Sequence, residues 1–249
     1  MENLRLVKGA DDWTIPDDAW ISGVPFTVRR KESDRACQHG VIDTGDGKID
    51  SRTVSLTIYI EEDTQSEYFA TMDALKKRLY RKDQKLYVTT TRYIVLSSLY
   101  SFKEEYITGF VNRKCFVTAE FKCNDPFFYS SAPEVATVAV ASSPHTFTIT
   151  NIGNVDVPPI IKISASDAVP SVQLTNNTNA RLCLYQDPQL IADTVLVINN
   201  SAATVERDGT NTLNAFSGTF HSLESGANVF EYEGVTAASI EITYTPRWL

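Results

Sequence analysis

The chain has 249 residues, of which 43% are hydrophobic and 22% are charged, so it is expected to fold into globular domains and is long enough for two of ordinary size. The net charge of -8 argues against a protein that binds nucleic acid by neutralising its phosphates with basic side chains. It is compatible with a channel through which DNA passes without binding. No run of about 18 apolar residues and no signal-like N-terminus occurs, so we expect no membrane helix, no secretion signal and folding in a cytoplasm.

The N-terminal 50 residues combine polar stretches with turn signals. Residues 12–20 are polar and contain Pro16, which predicts a loop that Trp13 and Trp20 anchor to the core. Residues 29–50 carry many charges of both signs and cannot bury both faces of a strand. We therefore predict that this segment projects from the domain as an arm, with an ordinary solvated hairpin as the alternative.

The next two elements are the clearest in the chain. Residues 51–60 alternate polar and apolar side chains, which predicts a strand with one buried face. Thr64 and Glu67 have the spacing of a helix capping box, and an apolar stripe follows them, so we predict a helix over about 65–82. The cations near its end, such as Lys77 and Arg81, suit the negative end of the helix dipole.

Three further strand patterns complete this half, at residues 85–96, 102–110 and 115–123. The last of them places Cys115 and Cys123 on its buried face. The cysteines and histidines are otherwise scattered, so we predict no metal site and no cofactor. This half is thus predicted to be a β-sandwich with one α-helix.

A boundary is predicted near residue 130, where the composition changes. Residues 1–130 contain 19 Lys and Arg against 20 Asp and Glu, whereas residues 131–249 contain 4 against 11, so the two parts carry -1 and -7 of the total of -8. We therefore predict two domains, 1–130 and 131–249. The segment between them contains Pro126, Phe127, Phe128 and Tyr129, which we interpret as a fixed interdomain joint.

The second domain is predicted to be all β. Short alternating segments recur from about residue 132 to residue 244 and are separated by Asn, Gly, Asp or Ser clusters. Gly209 and Gly226 stand where hairpin turns need a positive φ. This regular spacing favours a β-sandwich.

Catalytic motifs are scarce. The sequence Val41-Ile42-Asp43-Thr44-Gly45 matches the apolar-Asp-Thr-Gly motif of aspartic proteases, but those enzymes need two such carboxylates and the chain contains one copy. We interpret Asp43 as part of a hairpin turn. No phosphate-binding glycine motif and no nucleophile elbow occurs, so we do not expect an enzyme.

Several motifs, in this order and spacing, resemble a known family. They are Asp125-Pro126-Phe127-Phe128-Tyr129, Asn151-Ile152-Gly153-Asn154, Pro158-Pro159-Ile160-Ile161-Lys162-Ile163, Phe216-Ser217-Gly218-Thr219-Phe220, Leu223-Glu224-Ser225-Gly226-Ala227-Asn228 and Tyr244-Thr245-Pro246-Arg247-Trp248. The chain resembles the distal tail (Dit) proteins of long-tailed, siphovirus-type phages and prophages. The resemblance spans nearly the whole chain.

The resemblance implies a structural component of the virion tail tip. Members of the family form a hexameric ring of N-terminal domains with galectin-like C-terminal sandwiches outside it. The ring joins the tail tube to the adsorption apparatus and leaves a channel for DNA in transit. The implied partners are other copies of the chain, the tail tube and tape-measure proteins, and hub or receptor-binding proteins of the tail tip.

Ring closure makes the arm a candidate subunit interface. A contact between two different surfaces of neighbouring copies needs a segment that projects from one copy to the next. The protein as a whole is acidic, so cations on the arm could meet carboxylates of a neighbouring copy. These cations are Arg29, Arg30, Lys31 and Arg35.

Two other functions stay open at this point. A carbohydrate-binding module for host adsorption could stack sugar on Tyr232, Tyr244 and Trp248. A tail-associated hydrolase could use Asp43.

Overall fold

The computed structural model describes residues 4–22, 24–35, 39–107, 113–236 and 238–249. It divides into two compact units, Met1–Ser131 together with Leu249, and Ala132–Trp248. Both units consist mainly of β-strands, as predicted. In the part of the chain that is described, no helix is long and apolar enough to cross a membrane.

Within its described residues, the first unit contains one helix and a series of strands. They are β1 (Arg5–Lys8), β2 (Asp11–Thr14), β3 (Trp20–Ser22), β4 (Glu32–Asp34), β5 (Val41–Asp43), β6 (Arg52–Glu61), α1 (Gln65–Leu79), β7 (Gln84–Tyr87), β8 (Arg92–Leu96), β9 (Ser98–Tyr106), β10 (Lys114–Cys123) and β11 (Phe128–Ser130). One sheet has the order β2-β1-β7-β8-β11, a second has the order β3-β6-β10-β9, and β4 pairs with β5. All of these pairings are antiparallel.

One core joins both sheets and the helix. Leu86 and Ile94 contribute from the first sheet, Leu56 and Phe121 from the second, and Leu79 from α1. The alternation of residues 51–60 is confirmed, since its apolar residues are buried on β6. The capping box is also confirmed, because the Thr64 side chain accepts a hydrogen bond from the Glu67 backbone and the Glu67 carboxylate accepts one from Thr64.

Four sequence expectations for this unit need correction. Residues 12–20 are not a continuous loop, because pairing with β1 and β6 supplies hydrogen bonds for β2 and β3. Trp20 is 47% exposed and contacts Phe116 at its surface, so it is not a core anchor. The helix ends at Leu79, three residues before its predicted end, with Tyr80 as its C-cap, and the chain then turns at Asp83, with a φ of 52°, to enter β7.

The fourth correction concerns the strand patterns that follow the helix. Residues 85–96 form two strands, β7 and β8, joined by a tight turn. The strand predicted at 102–110 begins earlier, at Ser98, and ends at Tyr106. Its last three residues, 108–110, lie outside the described part of the chain.

As far as it is described, the second unit contains strands and a short 3-10 turn at Leu213–Ala215. The strands are β12 (Glu134–Ala139), β13 (His145–Asn151), β14 (Ile160–Ala165), β15 (Ser171–Asn176), β16 (Arg181–Gln186), β17 (Val195–Asn199), β18 (Thr204–Arg207), β19 (Thr210–Asn211), β20 (Phe216–Gly218), β21 (Gly226–Gly234), β22 (Ala238–Tyr244) and β23 (Arg247–Trp248). One sheet has the order β12-β22-β14-β17-β18-β19, and the other has the order β13-β21-β15-β16-β20.

The two sheets of this unit bury their facing side chains in one core. Ile161 and Ile240 come from the first sheet, and Leu174 and Phe230 come from the second. Gly209 and Gly226 have φ angles of 77° and 90°, as their turn positions predicted. The unit is therefore the β-sandwich that the regular strand spacing indicated.

Candidate interface arm and interdomain segment

The predicted arm is a two-stranded ribbon. Its base is a bridge between Val28 and Ile49, and the Arg29 amide donates to the Lys48 carbonyl at 2.7 Å. Farther out, β4 pairs with β5 so that Ser33 lies opposite Ile42. Every described residue of the segment 29–48 is exposed, so the ribbon stands clear of the two-sheet core.

A close backbone approach holds the ribbon together at Gly45. A Cβ atom at this position would lie 2.6 Å from the Arg29 carbonyl oxygen and 2.9 Å from the Arg30 Cα. The Asp43 carboxylate accepts a hydrogen bond from the Gly45 amide at 2.8 Å. Asp43 is exposed and is the last residue of β5, opposite Glu32, so it lies in a strand of the hairpin and not in its turn as expected.

The four predicted interface cations are all exposed, but they do not form one cluster with a common partner. Arg29 forms an ion pair with Asp46 across the ribbon, with 3.0 Å between Nη2 and the carboxylate. Arg30, Lys31 and Arg35 form no ion pair with any described residue. Such cations are free to meet a carboxylate of another chain.

Sequence reasoning missed the apolar side chains of the arm. Val41 and Ile42 are 46% and 49% exposed, and Val28 at the base is 38% exposed. None of them belongs to the core of the first unit. The adjacent apolar residues Val41 and Ile42, within an otherwise polar and charged segment, could have indicated them. An exposed two-stranded ribbon is marginally stable on its own in water.

The predicted interdomain joint is built into the first unit. Pro126 is buried, and Phe128 and Tyr129 belong to β11, where they pair with Ile94 and Tyr93 of β8. The Asp125 carboxylate accepts hydrogen bonds from the Phe127 amide at 3.2 Å and from the Tyr129 hydroxyl at 2.6 Å. These contacts fix the local path of the segment, while its role as a joint stays a prediction.

A buried arginine connects the base of the arm to this segment. Arg52, which is 2% exposed, lies with its guanidinium 5.9 Å from the ring centre of Phe26 and 5.1 Å from that of Phe128. Its Nε and Nη2 atoms have no hydrogen-bond partner among the described residues. Burial lowers the pKa of Arg52 below its usual value. Sequence pattern gave no sign of this contact, because the three residues are far apart in the chain.

Four buried asparagines organise the loops of the second unit. Asn151, Asn176, Asn200 and Asn228 are each less than 10% exposed. The Asn228 amide group accepts from the Glu224 backbone at 2.9 Å and donates to its carbonyl at 2.8 Å. The Asn200 side chain donates to the Pro159 carbonyl at 2.7 Å, and it accepts from the His221 amide at 2.6 Å. Side-chain amides thus replace missing backbone partners in these loops.

Three of the motifs that carried the family resemblance meet at Gly153. A Cβ atom at Gly153 would overlap the Arg247 carbonyl oxygen and would lie 2.9 Å from the Arg247 amide nitrogen. The Asn151 side chain accepts from the Gly153 amide at 3.0 Å, and the Ser225 hydroxyl donates to the Gly153 carbonyl at 2.8 Å. Residues from three motifs that are far apart in the sequence thus contact one another at Gly153.

The structure offers no arrangement of nucleophilic, acid–base or metal-binding side chains among the described residues that is suited to catalysis. His221 Nε2 lies 3.2 Å from Cys183 Sγ, but both residues are 1% exposed. Burial lowers the pKa of His221 to about 4 and raises the pKa of Cys183 to about 12, so neither group is charged near neutral pH. Among the residues that the structure describes, no three His, Cys, Asp or Glu side chains are placed to hold a metal.

Two of the three proposed sugar-stacking residues, Tyr232 and Tyr244, need correction, whereas Trp248 is half-buried. Tyr232 is fully buried and Tyr244 is 6% exposed, because both side chains point into the core of the second unit. The Tyr232 hydroxyl donates to the Val235 carbonyl at 2.9 Å. These two rings therefore present no face on which a sugar could stack.

Comparisons with known proteins agree with this geometry. Residues 152–248 match the family model of the siphovirus-type tail component, C-terminal domain. The crystal structure of the Dit protein of phage SPP1, described as a paradigm of the hub adsorption apparatus in phages that infect Gram-positive bacteria, is similar over 100% of both chains, with a TM-score of 0.76 and 15% sequence identity. The baseplate of phage P2 in its activated conformation contains a chain with 10% identity and a TM-score of 0.46, over 98% of this chain and 97% of that one. No curated protein sequence matches significantly.

The matched residues include the Gly153 and Arg247 contact and most of the buried asparagines. Residues 152–248 therefore match the siphovirus-type tail component family model, and the chain as a whole has the fold of the SPP1 Dit protein, from the family that its motifs resemble.

Proposed function

We propose that this protein is the distal tail ring of a long-tailed phage. Copies of the first unit form a ring, with six as the expected number, and the ring joins the tail tube to the adsorption apparatus at the tail tip. The similarity to the SPP1 Dit protein over the full length of both chains supports this role. In this role the chain acts as a structural component of the virion and not as an enzyme.

The arm is the observation that carries the proposal. A ribbon whose described residues are all exposed at 29–48, with Val41 and Ile42 on its surface, gains stability when a second molecule covers it. A projecting segment that binds a different surface of the next copy is the kind of contact that closes a ring. The C-terminal sandwiches then lie at the outside, as peripheral domains.

The charge of the chain suits a passage for DNA. Residues 1–130, which form the proposed ring, carry 19 Lys and Arg against 20 Asp and Glu, so their balance offers no net positive charge to hold the phosphate backbone of DNA in transit. The partners in this arrangement are the tail tube and tape-measure proteins on one side and the hub or receptor-binding proteins on the other. The protein is made in the host cytoplasm and ends up at the tail tip of the virion.

Native mass spectrometry of the purified chain tests the proposal. Six copies in one assembly are the expected result. A chain that stays monomeric over the full range of accessible concentrations removes the main support for the ring.

A further inference from the structure

A groove lies on the first unit between α1 and the end of β6. Its volume is about 350 Å³. Ile58 and Ile60 of β6 and Leu75 of α1 are among the residues that line it, and all three are less than 10% exposed. The proposed ring has so far given this groove no role.

The groove combines apolar residues with an available carboxylate. Glu61 and Glu62 both line it. Glu61 is already paired with Lys114, whereas Glu62 accepts a hydrogen bond from the Thr71 hydroxyl at 2.7 Å and forms no ion pair within the described ranges. The cation at the groove, Arg78, stacks on Trp13 at 5.0 Å. The groove therefore suits a segment that offers apolar side chains beside a cation.

The arm offers this combination. Val41 and Ile42 are its exposed apolar residues, and Arg30 and Lys31 are cations without an ion pair among the described residues. Charge and polarity are thus complementary between the arm and the groove.

The arm and the groove stand at opposite ends of one strand. The Asp50 amide donates to the Thr27 carbonyl at the base of the arm, and β6 begins two residues later, at Arg52. The strand runs for ten residues and ends at Glu61, at the groove. At about 3.3 Å per residue its two ends are roughly 30 Å apart. With the arm at one end of β6 and the groove at the other, a contact between the arm of one copy and the groove of the next can be repeated by a fixed rotation, which closes a ring.

We propose that the groove between α1 and β6 receives the arm of a second copy of this chain, with Ile42 on its apolar residues and Lys31, on the same face of the ribbon, beside Glu62. The inference rests on the proposed function, since it names the surface that the ring contact uses. It adds the contact partner to the arm, and it makes the groove incomplete without its neighbour.

A bulky side chain in the groove tests this contact. Ala74 lines the groove and is exposed on α1, so Ala74→Trp fills the groove without entering the core. Asp73→Trp is the matched control, because Asp73 is an exposed neighbour on α1 that does not line the groove. Native mass spectrometry should show the assembly in the wild type and in Asp73→Trp, and at least a tenfold loss of assembly at equal concentration in Ala74→Trp.

Cross-linking provides a second measurement. In a Cys37→Ser background the other three cysteines are buried, so chains with Ser33→Cys and chains with Ala74→Cys each carry one reactive thiol. A short bismaleimide should link a Ser33→Cys chain to an Ala74→Cys chain, whereas an exposed Ala202→Cys chain should give no such product.

The outcomes separate the two proposals. Assembly by Ala74→Trp as in the wild type, or equal linking to Ala74→Cys and Ala202→Cys, overturns the groove contact while the ring itself stands. A wild type that does not assemble overturns the ring, and the groove contact with it.

Discussion

Protonation of His221 should destabilise the second unit at acidic pH. The imidazole is 1% exposed and lies edge-on to Phe230, with 5.6 Å between ring centres. Its Nδ1 atom has no hydrogen-bond partner among the residues described. Desolvation by burial is the main cause that lowers the pKa of His221, from its ordinary value of 6.5 to about 4. The folded state therefore holds the ring neutral at a pH where the unfolded chain binds a proton.

The sign and size of the effect follow from this difference. Because the folded pKa is the lower one, the contribution is fully present above pH 6.5 and is lost as the pH falls toward 4. At about 1.4 kcal/mol for each tenfold change in proton affinity, the loss reaches about 3 kcal/mol. Most of it should occur between pH 6.5 and 4.5.

Hydrogen exchange measured by mass spectrometry can follow this loss in the intact chain. Peptides that cover β15 and β21 report on the second unit after correction for the intrinsic exchange rate at each pH. The glutamine of His221→Gln cannot be protonated in this range. The decrease in the opening free energy between neutral and acidic pH should therefore be smaller in this variant than in the wild type, by about 2–3 kcal/mol. His145→Gln, at a less buried histidine, is the control and should behave as the wild type does. An equal pH dependence in the wild type and in His221→Gln refutes the reasoning.

Three further predictions concern the arm, the junction and the second unit. Deletion of residues 30–48 should leave a folded monomer, because the arm lies outside the core; a ring still seen by size-exclusion light scattering contradicts this. Replacement of Phe127 and Phe128 by Ser should loosen the predicted joint and raise the radius of gyration, and unchanged small-angle scattering argues against a fixed joint. Gly153→Ala should destabilise the second unit by about 1–3 kcal/mol, because its Cβ overlaps the Arg247 backbone. The control Ile152→Ala, at a 56% exposed position, should stay within about 0.5 kcal/mol in the same thermal unfolding experiment.

The elements that sequence reasoning predicted well depend on local patterns. The stripe and capping box of α1 and the alternation of β6 and β10 arise from neighbouring residues, so they can be recognised without tertiary information. The short strands β2 and β3 could not be recognised in this way, because they depend on pairing with β1 and β6 and not on a pattern of their own. The end of α1 was predicted too late because the cations Arg81 and Lys82 continue the charge pattern of the last turns, whereas the helix is already capped at Tyr80.

The candidate sites depend even more on contacts between residues that are far apart in the sequence. The cations of the arm could be predicted from composition, and the exposed Val41 and Ile42 could have been recognised beside them. The contact of Arg52 with Phe26 and Phe128 could not, since nothing in the sequence separation of these residues indicates that they meet. The groove likewise combines Trp13, the end of β6 and one face of α1, which only the folded chain brings together.

The length of the β6 and β10 pairing has a mechanical consequence. Ten residue pairs join these strands in register, from Arg52 opposite Cys123 to Glu61 opposite Lys114. If neighbouring copies pull on the arm at one end of β6 and on the groove at the other, the load runs along the strand. The hydrogen bonds of an antiparallel pair are perpendicular to the strands, so such a load shears all of them together and does not open them one at a time. The strand that separates the two proposed contacts is thus also the one best able to carry tension around a ring.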